Sequence, residues 1–396
     1  MKFWRGFAVL SLALAIFAGA SGAIPRSRTE RELRQFMRLM ESSGERIALP
    51  SLDLPDQNLD AQARSADFSR TIQLLRVEPF VWTAPALMHG TCGQPGAPLW
   101  TLPSWHGTEG QTLAWDAVRD KLRSAEPNLR SLREFLANPP PLSGINYASP
   151  SARPPGFRLL QIASSWLQTA LVCDLHDADY PSALANLHAL LGLARLYDSD
   201  RSLVLQIIRC EIIHDAQLAT AELLQSAACQ QSDLNDLRCR WEAIEILPAF
   251  VPALELERAL RVATFEAARE HGLSRWSTVP EGANPWTFVA ASSVVGPSLW
   301  KAVWSYQDEQ NYLSRMQTTI DLFRQASKNA GKGIGPVVLS PSTSITNKQS
   351  CFDSARLQLS HQFLFDGQSM LKQVMTAQCA RQSALDTLAV RLTSDL

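Results

Sequence analysis

Strand-forming alternation is almost missing from this chain of 396 residues. Nowhere does a run rich in β-branched residues alternate cleanly between apolar and polar, which argues against a sheet-built fold. A charge imbalance is missing too: 37 Lys and Arg face 38 Asp and Glu, for a formal net charge of −1. Removing Lys2 and Arg5 with a leader gives 37 − 2 = 35 against 38, or −3, so no global field draws nucleic acid. Cysteine is sparse, with seven at positions 92, 173, 210, 229, 239, 351 and 379, an odd number that leaves at least one free or paired with another chain. Cys173 and Cys210 fall inside helical patterns, where a buried thiol acts as a small hydrophobe. The chain also lacks H-E-x-x-H, G-x-S-x-G and any phosphate-cradling glycine motif, so the corresponding zinc peptidase, serine hydrolase and nucleotide-binding readings have no anchor. No cofactor is called for. Beyond the N-terminus no apolar stretch is long enough to span a bilayer.

What is present first is a leader. Lys2 and Arg5 precede an uncharged apolar run over 7–20, the layout of a secretory signal, with Ser21 and Ala23 as small residues before a cut ahead of Ile24, and Ala18 with Ala20 as a second option. The rival reading is an uncleaved anchor, since the run extended to Ile24 barely reaches the ~20 residues that cross a bilayer. The composition, 46% hydrophobic and 19% charged, supports a large core in one or two domains.

The stretch 158–224 organises the rest. Leu160, Ala163, Leu167, Ala170, Leu171 and Leu175 recur at helical spacing and define a core-facing helix over 159–175. A polar break at 176–179 precedes Pro181, suited to a first helical turn, and a second helix whose seam is Leu184, Leu187, Leu191 and Ala194. A third carries two opposed stripes, one through Leu205, Ile208, Ile212, Ala216, Ala219 and Leu223, the other through Leu203, Ile207, Cys210, His214, Leu218 and Ala221. A helix apolar on two faces is a buried helix, so this segment is expected at the centre, with Arg209, Glu211, Asp215 and Glu222 left on solvated flanks.

Along the remaining chain, Thr29 and Glu32 have capping-box spacing before a short helix with Leu33, Phe36, Met37 and Met40, ending near Gly44. Its Arg26, Arg28, Arg31, Arg34 and Arg38 suit anionic lipid beside an anchor, but Glu30, Glu32 and Glu41 dilute that charge toward an ordinary solvated face. Residues 47–69 read as an irregular surface loop, and 80–115 as a segment dense in proline, glycine and tryptophan that excludes a long helix. Trp115, Val118 and Leu122 resume a helix, Pro127 begins another, and Pro139 to Pro141 stop it. Further helices follow before Pro248, before Gly272, from Trp300 to Phe323, and through Leu371, Val374, Leu385, Leu388 and Leu392.

The expected fold class is therefore all-α: an irregular helical bundle or a degenerate solenoid of stacked helix hairpins, with long Pro/Gly/Trp-rich loops and no repeat signature of fixed period. The expected organisation is a signal peptide or membrane anchor over 1–23, short helices and irregular loops over 24–157, and a helical domain over 158–396. The runs ALANLHALLGLARLY, ALELERALRVATFEAARE and CARQSALDTLAVRL resemble parts of uncharacterised, signal-bearing, all-helical exported bacterial proteins. That resemblance implies a helical, exported chain and brings no activity or site residue with it.

Several constellations bear on chemistry. Glu211 and His214 form an E-x-x-H, a di-iron ligand spacing, but no second copy completes a metal site, so His214 is expected to be a satisfied core histidine. Glu242 and Glu245, on the helix that follows, are further carboxylate candidates. Cys173 with His176 lacks a second pair for zinc, and Cys92 with His106 lacks an orienting partner for thiol chemistry. Trp82, Trp100 and Trp105 are the best ligand-binding hint, because aromatic faces suit sugars, peptides or apolar ligands; the alternative is that they anchor their loop onto the helices. The leading expectation is a noncatalytic exported structural or interaction protein of the cell envelope, with an envelope protein as partner and the membrane touched only through an uncleaved leader. The alternative is an exported hydrolase or ligand-binding protein with its pocket near loop 80–115.

Overall fold

The computed structural model describes residues 27–52, 59–75, 100–101, 112–113, 115–139, 157–225, 229–272, 300–330 and 367–394. The fold is all-α. In chain order the elements are α1 (27–42), a 3-10 turn at Leu49–Ser51, α2 (Leu59–Leu74), α3 (Trp115–Ala137), α4 (Phe157–His176), α5 (Tyr180–Arg195), α6 (Leu203–Gln225), α7 (Gln231–Glu242), α8 (Leu247–His271), α9 (Ser305–Ala330, entered through a π turn at Trp300–Trp304) and α10 (Gly367–Ser394). A two-residue antiparallel ladder pairs β1 (Trp100–Thr101) with β2 (Thr112–Leu113), Trp100 opposite Leu113.

Two compact units divide the chain. One comprises the described residues of 1–54 and 254–368, the other those of 55–146, 152–253 and 369–396.

In the second unit α4, α5 and α6 pack on one another, α3 packs on α4 and α5, α2 on α3 and α4, and α7 on α5. The link between α4 and α5 shows how the local sequence directs this. Ala178 takes a φ of 60°, and the N–H groups of Asp177, Ala178 and Asp179 turn back onto the carbonyls of Cys173, Leu175 and Asp174. An αL residue with a Cβ costs roughly 1 kcal/mol, which the three bonds offset. Asp179 then caps α5, its side chain accepting from the Ser182 N–H at 3.3 Å, with proline in the first turn.

From Ala189 to Ala194 every residue of α5 is buried, and a Cβ on Gly192 would lie 2.1 Å from the Leu136 carbonyl oxygen of α3. The glycine lets the two backbones touch. The central helix is therefore α5 and not α6, as the sequence had suggested. The first apolar stripe of α6, from Leu205 to Leu223, is buried throughout, but on the opposite stripe Ile207, Leu218 and Ala221 are only half-buried and His214 is exposed. Two polar contacts from α4 to α6, Gln161 to Glu211 and Ser164 to Asp215, advance in the same direction along both helices. The outer pair is therefore parallel, with α5 returning between them.

Three further expectations are corrected. Pro127 lies inside α3 without dividing it, because Val118, Ala125, Leu129, Leu132 and Leu136 form one buried stripe across it. Part of 47–69 is helical, since α2 begins at Leu59 and is held by Phe68, which stacks on Phe135 at 5.2 Å between ring centroids. Pro248 lies in the first turn of α8, which Leu247 opens, so the helix before it ends earlier, at Glu242.

In the first unit α1 buries Leu33 and Met40 and is closed by a turn at Gly44, whose φ is 90°. Thr29 already lies within the helix, so it is not the cap; Glu32 instead accepts from Arg28 one turn back. Phe265 packs on Trp300 and Tyr312 at centroid distances of 6.4 and 5.8 Å, and Leu313, Met316, Ile320 and Phe323 continue the α9 core. Each such fully buried side chain contributes roughly 1.5–3 kcal/mol.

Candidate functional site

Two polar clusters and a cleft stand out among the described residues of the second unit. The first cluster centres on Arg209, only 2% exposed, where the sequence had placed a solvated flank. Its guanidinium donates to the Ala194 carbonyl at the end of α5 (2.7 Å), to the Glu245 carbonyl after α7 (3.2 Å), to the Gln206 side chain and to Asp198. Gln206 in turn donates to the carbonyls of Tyr197 and Asp200, at 3.1 and 2.6 Å. Burial lowers the Arg209 pKa and raises that of Asp198, in each case against the attraction of the other. The ion pair is thus opposed by desolvation, and the carbonyls that the arginine satisfies account for its retention.

The second cluster joins α3, α4 and α5. Asn186 donates to Asp174 at 2.7 Å and accepts from Arg133 at 3.2 Å, while Arg133 also pairs with Glu126. Burial, with Asp179 nearby, pushes the Asp174 carboxyl up to about 7 against the pull of Arg133 and Asn186. Asp174 is therefore able to exchange a proton near neutrality, a property shared by acid–base catalysts and by structural networks. Nearby, Arg119 donates to both carboxylate oxygens of Asp177, at 2.9 and 2.7 Å, and holds its pKa down.

The residues singled out by sequence sit as follows. Glu211 and His214 are both exposed, which corrects the core placement of the histidine; Glu211 accepts from Gln161 at 3.1 Å. Glu242 and Glu245 are exposed as well. Among the described residues no grouping of three His, Cys, Asp or Glu has the geometry to hold a metal. Cys173 and His176 share the last turns of α4, but burial pushes the Cys173 thiol up to about 12, and the His176 ring contacts Asp177 at 3.1 Å. Burial likewise pushes Cys210 to about 12, so neither thiol supplies a thiolate near neutrality. Trp82, Trp105, Cys92 and His106 lie outside the described residues, and of Trp100 only the backbone pairing in β1 is described.

Sequence reasoning missed two buried charges on α6. Arg209 is one, and Glu222 is the other: it is 6% exposed, and its carboxylate oxygens make no hydrogen bond among the described residues. Both fall between apolar stripes, a position that spacing alone assigns to solvent. The cleft, of about 350 Å³, is lined by Ala137, Asn138 and Pro139 at the end of α3, Arg195 at the end of α5, and Cys239 and Arg240 of α7.

The first unit has a network of its own. Arg258, 0% exposed, donates to Glu45 (3.0 Å), to the Arg46 carbonyl (3.0 Å) and to Gln317, while Arg324 pairs with both Glu45 and Glu255. Burial opposes the Glu45 charge, yet bonds from Arg324 and Arg258 outweigh it and hold the carboxyl down at about 2. On α9, Glu309 pairs with Arg269, and burial pushes its pKa up to about 7. The arginine also lies 4.8 Å from the centre of the Tyr306 ring.

Against protein-family models, curated proteins and solved structures, the chain matches none.

Proposed function

We propose that this protein is a noncatalytic helical module exported to the cell envelope, where it acts through interaction with another envelope protein. The observation that supports this most is the use made of its buried charge. Arg209 ties the ends of α5 and α7 to α6, and Arg258 with Arg324 ties residue 45 to α8 and α9, so these guanidinium groups serve packing. The buried thiols, raised to about 12, are poor nucleophiles. The basic, apolar leader at 1–23 supports export.

The test is in-cell crosslinking followed by mild capture of the tagged full chain from the envelope fraction, with the mass of the mature chain measured in parallel. One discrete protein crosslinked in stoichiometric yield, on a chain cut ahead of Ile24 or retained in the membrane, supports the reading. A chain found uncut and free of the envelope contradicts the address, and a correctly placed chain with no crosslinked protein contradicts the interaction.

A further inference from the structure

We infer that the cleft between α3, α5 and α7 is a binding site for a small organic anion carrying more than one carboxylate or phosphate group. Two guanidinium groups from different helices converge on it, Arg195 and Arg240. Neither is fully committed elsewhere. Arg195 reaches Asp198 only through its Nε, at 3.8 Å, and Asp198 already accepts from Arg209; Arg240 donates through its Nε to Asp236 at 2.9 Å. The terminal nitrogens of both make no hydrogen bond among the described residues, so two planar forks of donors face an open volume. Such forks match carboxylate and phosphate oxygens in pairs.

The other linings narrow the ligand class. Asn138 supplies an amide, able to donate to or accept from a hydroxyl or a further acid oxygen, while Ala137 and Pro139 offer apolar surface for a carbon skeleton. At about 350 Å³ the cleft is much larger than a bare inorganic ion needs and lies at the small end of ligand sites. Asp198 and Asp236, the carboxylates that pair with these arginines, do not line the cleft.

Cys239 gives a built-in reporter, because it is an exposed free thiol lining the cleft, whereas Cys379, also exposed and free, does not line it. The experiment measures alkylation of both cysteines in the full chain by iodoacetamide, read by peptide mass, in citrate, inorganic phosphate or chloride at matched ionic strength. Saturating citrate is expected to slow alkylation of Cys239 by about tenfold, as mass action predicts for a covered thiol, with Cys379 unchanged. The Arg195→Gln, Arg240→Gln double variant, with its circular dichroism unchanged, is expected to lose that protection. Equal Cys239 rates in citrate and chloride, or protection that survives in the double variant, would overturn the site. Phosphate protecting as well as citrate at equal concentration would overturn the organic part of the ligand class.

Discussion

Each compact unit buries an arginine, and the two are satisfied in different ways. Arg209 in the second unit donates to two backbone carbonyls, at Ala194 and Glu245, to the Gln206 side chain and to one carboxylate, Asp198. Arg258 in the first unit relies on Glu45, a carboxylate 213 positions away that Arg324 shares. The first arrangement closes helix ends that would otherwise leave carbonyls unpaired; the second joins distant segments through charge. Burial therefore has the same appearance in both units but a different dependence on conditions. The carbonyl bonds at either site are indifferent to pH, whereas those to Asp198 and Glu45 require an ionised carboxylate, and burial raises the Asp198 pKa while Arg324 and Arg258 hold Glu45 down at about 2.

The largest expected effect comes from breaking the charged lock. Glu45→Ala leaves Arg258 buried without its carboxylate and should cost about 3–5 kcal/mol in urea unfolding. The sign of its pH dependence follows from its lowered pKa: the stabilisation from Glu45 is complete above its ordinary value of 4.5 and is lost as pH falls toward about 2. The variant should accordingly lose less stability than the parent between those two pH values. A steep parental loss retained in Glu45→Ala would assign the acid lability to other groups.

Next in size is the apolar counterpart in the second unit. Ile212 is buried on α6, and Ile212→Asp should destabilise by about 3–4 kcal/mol, as expected for an unpaired buried charge. A melting temperature unchanged by that substitution would remove α6 from the core.

Asp174 offers a smaller effect of opposite sign. Its pKa is raised to about 7 from 3.8, so the folded state holds the proton longer than the unfolded chain. Its stabilising linkage is full below about pH 3.8 and disappears as pH rises through about 7. Asp174→Asn retains an acceptor for Asn186 and should flatten that decline, raising stability at pH 8 by roughly 1–2 kcal/mol after allowance for partial exposure. Parallel pH profiles for parent and variant would show that Asp174 titrates normally. The smallest effect is at the turn before α5, where Ala178→Gly should gain at most about 1 kcal/mol by relieving the αL strain. A loss there would mean that the Ala178 side chain contributes packing that outweighs its strain.

The helices were legible wherever an apolar stripe was long, as in α4, α9 and α10, because spacing reports burial directly. It fails where a charged residue goes inward. Arg209 and Glu222 lie between the stripes of α6, and no local pattern separates an inward charge from a solvated one. Choosing α5 over α6 as the central helix depended on Gly192 meeting Leu136, a contact between segments far apart in sequence. The cleft was illegible for the same reason: its walls come from 137–139, 195 and 239–240, and no motif links them. Pro127 misled because a local helix-breaking tendency yielded to a buried stripe that continues on both sides of it.

The claim that buried charge in this protein holds the fold together is tested most directly by hydrogen exchange of the full chain at pH 7, read by peptide mass, comparing Glu45→Ala with the parent. Exchange should rise sharply in 27–52 and in α9, the segments that Glu45 joins through Arg258, Gln317 and Arg324, measured against α5 as reference. Unchanged protection in 27–52 and α9 would contradict the account.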